Sequence, residues 1–360
     1  MSALKYWIWT GPSTKASKQE LKEKYTKLKS RGITGVFLEH GIFEPECEAI
    51  KAAGLEMHSW MWTTNRGDQW IRDNHPEWYQ VSRSGKSCFD HPPYVDYYRW
   101  VSPVNPAVQD YLVSKVQELA SNPLVDGVHL DYVRYPDVIL PRALWKKYGL
   151  DQTEELPDYD FDYSPATCVA YKKLYGEDPR EMKDPATNQQ WLHFRYDSVT
   201  KLVHRLVEAS HNLKKPVTAA VFPTPSQARK ICRQDWDKWP LDAVCPMIYN
   251  SFYNQGIEWI GDCVRENIGA VKIPIYAGLY VPDFKAGELG AGVKMALHRG
   301  ASGISLFGVE GVRTGYWLAN NFANSSFESW CRGSIVRAFR TWLIAIFRFP
   351  RLASTCPNPR

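Results

Sequence analysis

Two hydrophobic rhythms alternate along the chain. Short stretches rich in β-branched and aromatic residues, often alternating apolar and polar, are separated by longer ones with apolar residues three and four apart. The first kind predicts strands at residues 4–10, 35–41, 56–63, 127–135, 216–223, 243–250, 272–281 and 303–312. The second predicts helices at 18–31, 44–53, 106–122, 188–214, 226–238, 256–267 and 284–299, with a last short one from about residue 314. Local signals support several boundaries. Leu21, Tyr25 and Leu28 form one stripe that Gly32 ends, and Asn105 with Pro106 marks a helix start that Pro123 closes.

Eight consecutive βα units predict an α/β protein, a closed (β/α)8 TIM barrel, because closure leaves no strand edge unpaired. The barrel is expected to occupy residues 1–324, with 325–360 as a basic, apolar tail that is peripheral or poorly ordered. Two connections, 64–105 and 136–187, are far longer than usual. Both follow strands, so both belong to the C-terminal face, where barrel active sites lie.

Strand parity then assigns directions. In the fourth strand Val128 and Leu130 face the helices, so His129 and Asp131 point inward, with Asp131 nearer the top. In the second strand Phe37 and Glu39 point inward. His58, Trp60 and Trp62 share a face in the third, and Tyr276, Gly278 and Tyr280 in the seventh. In the sixth, Cys245, Met247 and Tyr249 share one parity, with Asn250 at the tip. In the eighth, Ser305, Phe307 and Val309 face inward and Glu310 follows at the rim. Asp126 and Asp242 precede their strands and belong to the opposite end, where they would make turns or caps.

Inward carboxylates at strand tops need a reason, because burying them unpaired is costly. Glycoside hydrolysis supplies one, since it uses two carboxyl groups about the scissile bond. Asp131, Glu39 and Glu310 are the candidate catalytic groups. Trp60, Trp62, Tyr132, Tyr249 and Tyr280 are candidate walls and stacking platforms, and His129, Arg134 and Asn250 complete the expected substrate-binding set. Arg134, three residues past Asp131, is expected to hold that carboxylate ionised, which favours a nucleophile or base there and leaves the proton donor to Glu39 ahead of Glu310. Other readings stay open: a structural Asp131–Arg134 ion pair, an orienting role for Glu39, plain loop surface for Glu310, and a satisfied core histidine at His129.

Composition agrees. The 15 Trp and 20 Tyr exceed what a core requires and suit a surface that stacks on sugar rings. The net charge of +5 resides in residues 331–360, which carry six Arg and no acidic residue, so nothing in the body suggests nucleic acid. The tail's apolar run at 342–347 is too short to span a membrane, though contact with an anionic membrane surface is a minor possibility. The eight Cys show no zinc-ligand or CxxC spacing and read as reduced thiols. No cofactor and no metal are expected, so a metal-dependent deacetylase is the weakest reading.

The segment from Asp126 to Pro136, with His129, Asp131 and Arg134, resembles the signature of bacterial barrels of the family 10 glycosyl hydrolase-like type. The segments His58-Ser-Trp-Met-Trp62, His75-Pro-Glu-Trp78, residues 101–106 and residues 242–249 are similar to further parts of that pattern, from about residue 4 to about 320. The resemblance implies a TIM barrel that acts on or binds poly- or oligosaccharide and matches Asp131 as its acidic position. It leaves the second carboxylate open. Family members usually carry an export signal, whereas this chain opens directly into a strand. Its place is expected to be periplasmic or extracellular if a leader precedes it, and cytoplasmic if Met1 is the start. The expected function is a glycosidase, with a non-catalytic carbohydrate-binding barrel as the alternative.

Overall fold

The strands form where the alternation is strongest, and their order closes them into a ring. The computed structural model describes residues 3–39, 41–285 and 287–309. The predicted helix at 314, the tail and Glu310 lie outside them. Eight parallel strands follow each other: β1 (Lys5–Thr10), β2 (Gly35–Glu39), β3 (Glu56–Trp62), β4 (Gly127–Asp131), β5 (Val217–Val221), β6 (Ala243–Pro246), β7 (Tyr276–Tyr280) and β8 (Gly303–Phe307). The hydrogen-bonded order is β6-β5-β4-β3-β2-β1-β8-β7. Two parallel bridges, Val244 with Ile275 and Met247 with Gly278, close the seam between β6 and β7. The fold is therefore the expected (β/α)8 barrel.

The helices between the strands are α1 (Lys18–Ser30), α2 (Glu44–Ala52), α3 (Gln69–Asn74), α4 (Pro106–Ser121), α5 (Arg142–Tyr148), α6 (Pro165–Tyr175), α7 (Gln189–Asn212), α8 (Pro225–Cys232), α9 (Ile257–Ala270) and α10 (Glu288–His298). Ser17 and Glu20 form a reciprocal capping box at the start of α1, and the Asn105 side chain caps α4 as its sequence predicts. Helix α8 ends earlier than its pattern suggests because Arg233 turns left-handed at φ 57°. Helices α3, α5 and α6 lie inside the two long connections and were not expected.

The core divides as strand parity predicts. Val128 and Leu130 pack outward among Leu112, Val116, Leu202 and Val203. Trp7, Trp9, Phe37, Trp60, Cys245 and Tyr276 fill the barrel itself. Glycine makes room for the large rings: a methyl group at Gly35 would lie 2.4 Å from the Trp7 ring. Parity fails at the end of β8, where Gly308 takes φ 74° and Val309 joins the outer cluster. At the opposite end, Asp126 accepts from the Met57 amide at 2.8 Å and Asp242 from the Val217 amide at 2.7 Å, so each pins the start of a strand.

The two long connections join into one layer over the C-terminal face. Ser82 pairs with Phe161, the Tyr163 amide donates to Val81, and the Arg83 amide donates to Asp160. Beneath them Arg195 of α7, fully buried, donates to Asp160 and to the Phe161 carbonyl. A buried charge is tolerable only with such partners.

Candidate active site

The site begins with the way β4 ends. Asp131 is its last residue, and Tyr132 then turns left-handed at φ 49°, a conformation unusual for a residue with a side chain. The neighbouring segment holds this turn. The Thr63 amide donates to the Asp131 carbonyl at 2.8 Å, and the Thr64 amide to the Tyr132 carbonyl at 3.1 Å. The Thr64 hydroxyl lies within hydrogen-bond reach of both the Tyr132 and Arg134 carbonyls, which share its one hydrogen, and accepts from the Arg134 amide. The Tyr132 ring packs against Trp62 at 4.7 Å and Trp100 at 5.7 Å.

Asp131 stands at the base of a pocket of about 370 Å³ on the C-terminal face. Its Oδ1 accepts from the Tyr132 amide at 2.6 Å and its Oδ2 from the Trp60 indole at 3.0 Å. Only 8% of the residue is exposed. Burial pushes its carboxyl up to about 6, against the opposing pull of the Tyr132 amide, the Arg134 charge and the Trp60 N–H; the charge of Glu39 adds to the rise. Glu39 lines the same pocket and accepts from the Trp62 indole at 3.0 Å.

Five of the predicted residues line this pocket with Asp131 and Glu39: Trp60, Trp62, Tyr132, Arg134 and Tyr249. The Tyr280 ring supports Tyr249 at 5.6 Å and Phe307 at 5.7 Å without lining the cavity. Asn250 also stays outside the lining. Its amide donates to the Gln255 carbonyl, and it opens a 3-10 turn, Asn250–Tyr253, that delivers Phe252 and Tyr253 to the wall.

His129 is corrected from a substrate contact to a core residue. It is fully buried below the pocket, stacked on Phe37 at 3.8 Å. Its Nε2 accepts from the Trp9 indole at 2.8 Å, and an indole nitrogen can only donate, so the ring proton sits on Nδ1 and is donated to the Thr218 hydroxyl at 2.8 Å. Burial and the nearby His58 hold its basicity well below the ordinary value. Both ring nitrogens are occupied, which leaves none for a metal. No group of three or more His, Cys, Asp or Glu suited to a metal ion occurs among the described residues.

The expected role of Arg134 is corrected as well. Its guanidinium donates to Asp137 at 3.1 Å and to the Tyr135 carbonyl at 3.0 Å, and lies against the rings of Trp100 and Phe222. It offsets only part of the cost of charging Asp131. Asp137, paired with Arg134 and lining the pocket, was not among the expected site residues. Nor were Trp9 at the floor or Tyr94, Tyr97, Lys147 and Tyr148 at the walls. Tyr94 and Tyr97 come from the long 64–105 connection and Lys147 and Tyr148 from 136–187, where no strand parity singles out the side chains that face inward.

Comparison with known proteins bears on this arrangement. No curated protein sequence matches the chain. The glycoside hydrolase domain of PgaB (BpsB) from Bordetella bronchiseptica superposes with a TM-score of 0.61 at 13% identity, covering 85% of this chain and 94% of that one. The catalytic domain of the β-amylase from Paenibacillus polymyxa superposes with a TM-score of 0.60 at 13% identity, covering 85% and 93%. At such identity the likeness concerns the fold. The glycosyl hydrolase-like 10 family matches residues 47–283, a span that runs from within α2 through β3 and β4 to just past the end of β7 and holds most of the pocket lining, though not Trp9, Glu39 or Phe307. The chain therefore belongs to the glycosyl hydrolase-like 10 family.

Proposed function

We propose that the barrel is a glycosidase acting on a poly- or oligosaccharide, with Asp131 as the general acid and Glu39 as the second carboxylate. The observation that carries this reading is the burial of Asp131 in a pocket that a second carboxylate, Glu39, also lines. Asp131 is buried among rings with its carboxyl raised to about 6, so it holds a proton in mildly acidic conditions. A carboxyl raised by an apolar, aromatic setting is suited to the part of proton donor. This reverses the assignment expected from sequence, where Arg134 was to keep Asp131 charged.

Asp131 would donate its proton to the glycosidic oxygen as the bond to the anomeric carbon breaks. Glu39 would then either attack that carbon or deprotonate the attacking water. The Trp62 N–H donates to Glu39 at 3.0 Å and fixes its position in the pocket lining. Aromatic walls exclude water and offer flat faces to the sugar. The affiliation with a glycosyl hydrolase-like family and the glycoside hydrolase folds of the structural neighbours support the same class.

The test is release of reducing ends from peptidoglycan glycan strands and from gut and plant polysaccharides, comparing the parent with Asp131→Asn. Loss of about 10²–10⁴-fold in turnover is expected. Equal turnover by the variant removes Asp131 from the mechanism. Saturable binding of one of these glycans with no turnover by the parent selects the carbohydrate-binding barrel instead.

A further inference from the structure

We propose that Trp70 is a second carbohydrate platform, outside the pocket, over which a polysaccharide continues after leaving the mouth. This rests on reading the pocket as a carbohydrate site. Trp70 lies on α3 with 52% of its surface exposed, an unusual placement for so large an apolar ring. Its orientation is fixed. The ring lies parallel to Tyr111, with centroids 5.7 Å apart and an angle of 11°. His75 braces it at 4.9 Å and is itself stacked on Trp78 at 4.0 Å. A flat ring already held in place loses little entropy when a ligand stacks on it.

The surroundings favour a sugar over a protein. Gln69 and Asp73 flank Trp70 on the same helix, both exposed and hydrogen-bonded to each other at 2.7 Å. Lys115 lies over the Tyr111 ring. One rigid ring with a polar rim matches the apolar face and peripheral hydroxyls of a pyranose. A stable protein contact requires a broader surface.

A chain of side-chain contacts links the platform to the pocket wall. Trp62 forms part of the pocket wall, and its carbonyl accepts from Arg66 at 2.8 Å. The Arg66 guanidinium lies over the Tyr111 ring on which Trp70 stacks. At the mouth, Tyr97 is 53% exposed and 5.9 Å from Trp62. The proposed path takes a glycan out of the pocket past Trp62 and Tyr97 and on over Trp70.

Electrophoresis of the whole protein through native gels containing β-glucan, xylan, arabinogalactan, pectin or glycol chitosan tests this. At least one polymer is expected to retard the parent, with Trp70→Ala weakening that retardation about fivefold or more and Trp70→Phe preserving most of it. Turnover of a short oligosaccharide that cannot reach from the pocket to α3 is expected to be equal in all three. Asp131→Asn should lose turnover and keep its retardation, so failure of the catalytic reading and failure of the platform are separable. Retardation of the Ala variant equal to the parent's, or no retardation of the parent by any polymer, overturns the proposal. A changed oligomeric state in Trp70→Ala with unchanged retardation also overturns it, by assigning the ring to a protein contact.

Discussion

The Trp60 indole donates to Asp131 Oδ2 at 3.0 Å although Trp60 is registered beside Glu39. Trp62, registered beside Asp131, donates instead to Glu39. The two rings of β3 thus cross over, each serving the carboxylate diagonal to it. The Trp60 bond stabilises the charged form of Asp131, so Trp60→Phe should raise that carboxyl further. The alkaline limb of the activity profile is expected to move upward by roughly half to one pH unit. A pH series of kcat/KM checks it; an unmoved or lowered limb contradicts the assignment of Asp131 as the acid.

Arg134 and Asp137 form a buried pair, and removing one partner strands the other. Arg134→Met should therefore destabilise the protein by about 3–5 kcal/mol at pH 7. It should also raise the Asp131 carboxyl, because the Arg134 charge opposes that rise. Urea unfolding measures the first effect. Arg134→Met,Asp137→Leu should recover part of the loss if the stranded charge is its source.

The seam between β6 and β7 is held by isolated bridges and by the Ile248 amide donating to the Gly278 carbonyl at 2.8 Å. A methyl group at Gly278 would lie 2.6 Å from the Pro246 carbonyl oxygen, a backbone atom that cannot swing away. Gly278→Ala should destabilise the barrel by about 1–3 kcal/mol. Gly269 in α9 meets nothing within 4 Å, so Gly269→Ala should stabilise by about 0.5–1 kcal/mol. Thermal denaturation of the two variants should shift in opposite directions.

At the lower rim of the barrel, burial alone would raise the Glu56 carboxyl. Hydrogen bonds from His58 and Lys5 outweigh it and hold the group at about 2. A depressed carboxyl contributes stability above its ordinary value of 4.5, and loses it as pH falls toward 2. Glu56→Gln should therefore cost about 1–3 kcal/mol at pH 7, with the difference from the parent closing as pH falls from about 4.5 to 2. A gap that stays constant across that range would assign the loss to shape and not to charge.

The fold was legible because strand and helix periods are properties of neighbouring residues. Parity placed Phe37, Glu39, Trp60, Trp62 and Asp131 inside correctly for the same reason. The site was less legible where it depends on the chain leaving its strand. The spacing from Asp131 to Arg134 suggested contact, yet the left-handed turn at Tyr132 redirects Arg134 onto Asp137. Helix α5 buries no residue and so leaves no apolar stripe to read, although Leu144, Lys147 and Tyr148 form a pocket wall. The meeting of the two long connections through Ser82, Phe161 and Asp160 is a long-range event that no local pattern records.

An inflection near pH 6 in an enzyme's rate profile is commonly attributed to histidine. The donor at Trp9 denies His129 that attribution here. Taking up a second proton would set N–H against N–H across 2.8 Å, so the ring stays uncharged where the Asp131 carboxyl, raised to about 6, changes its charge. The imidazole beneath the pocket acts as a fixed strut, and under the proposed mechanism an inflection in that range is expected to report on Asp131 and not on His129.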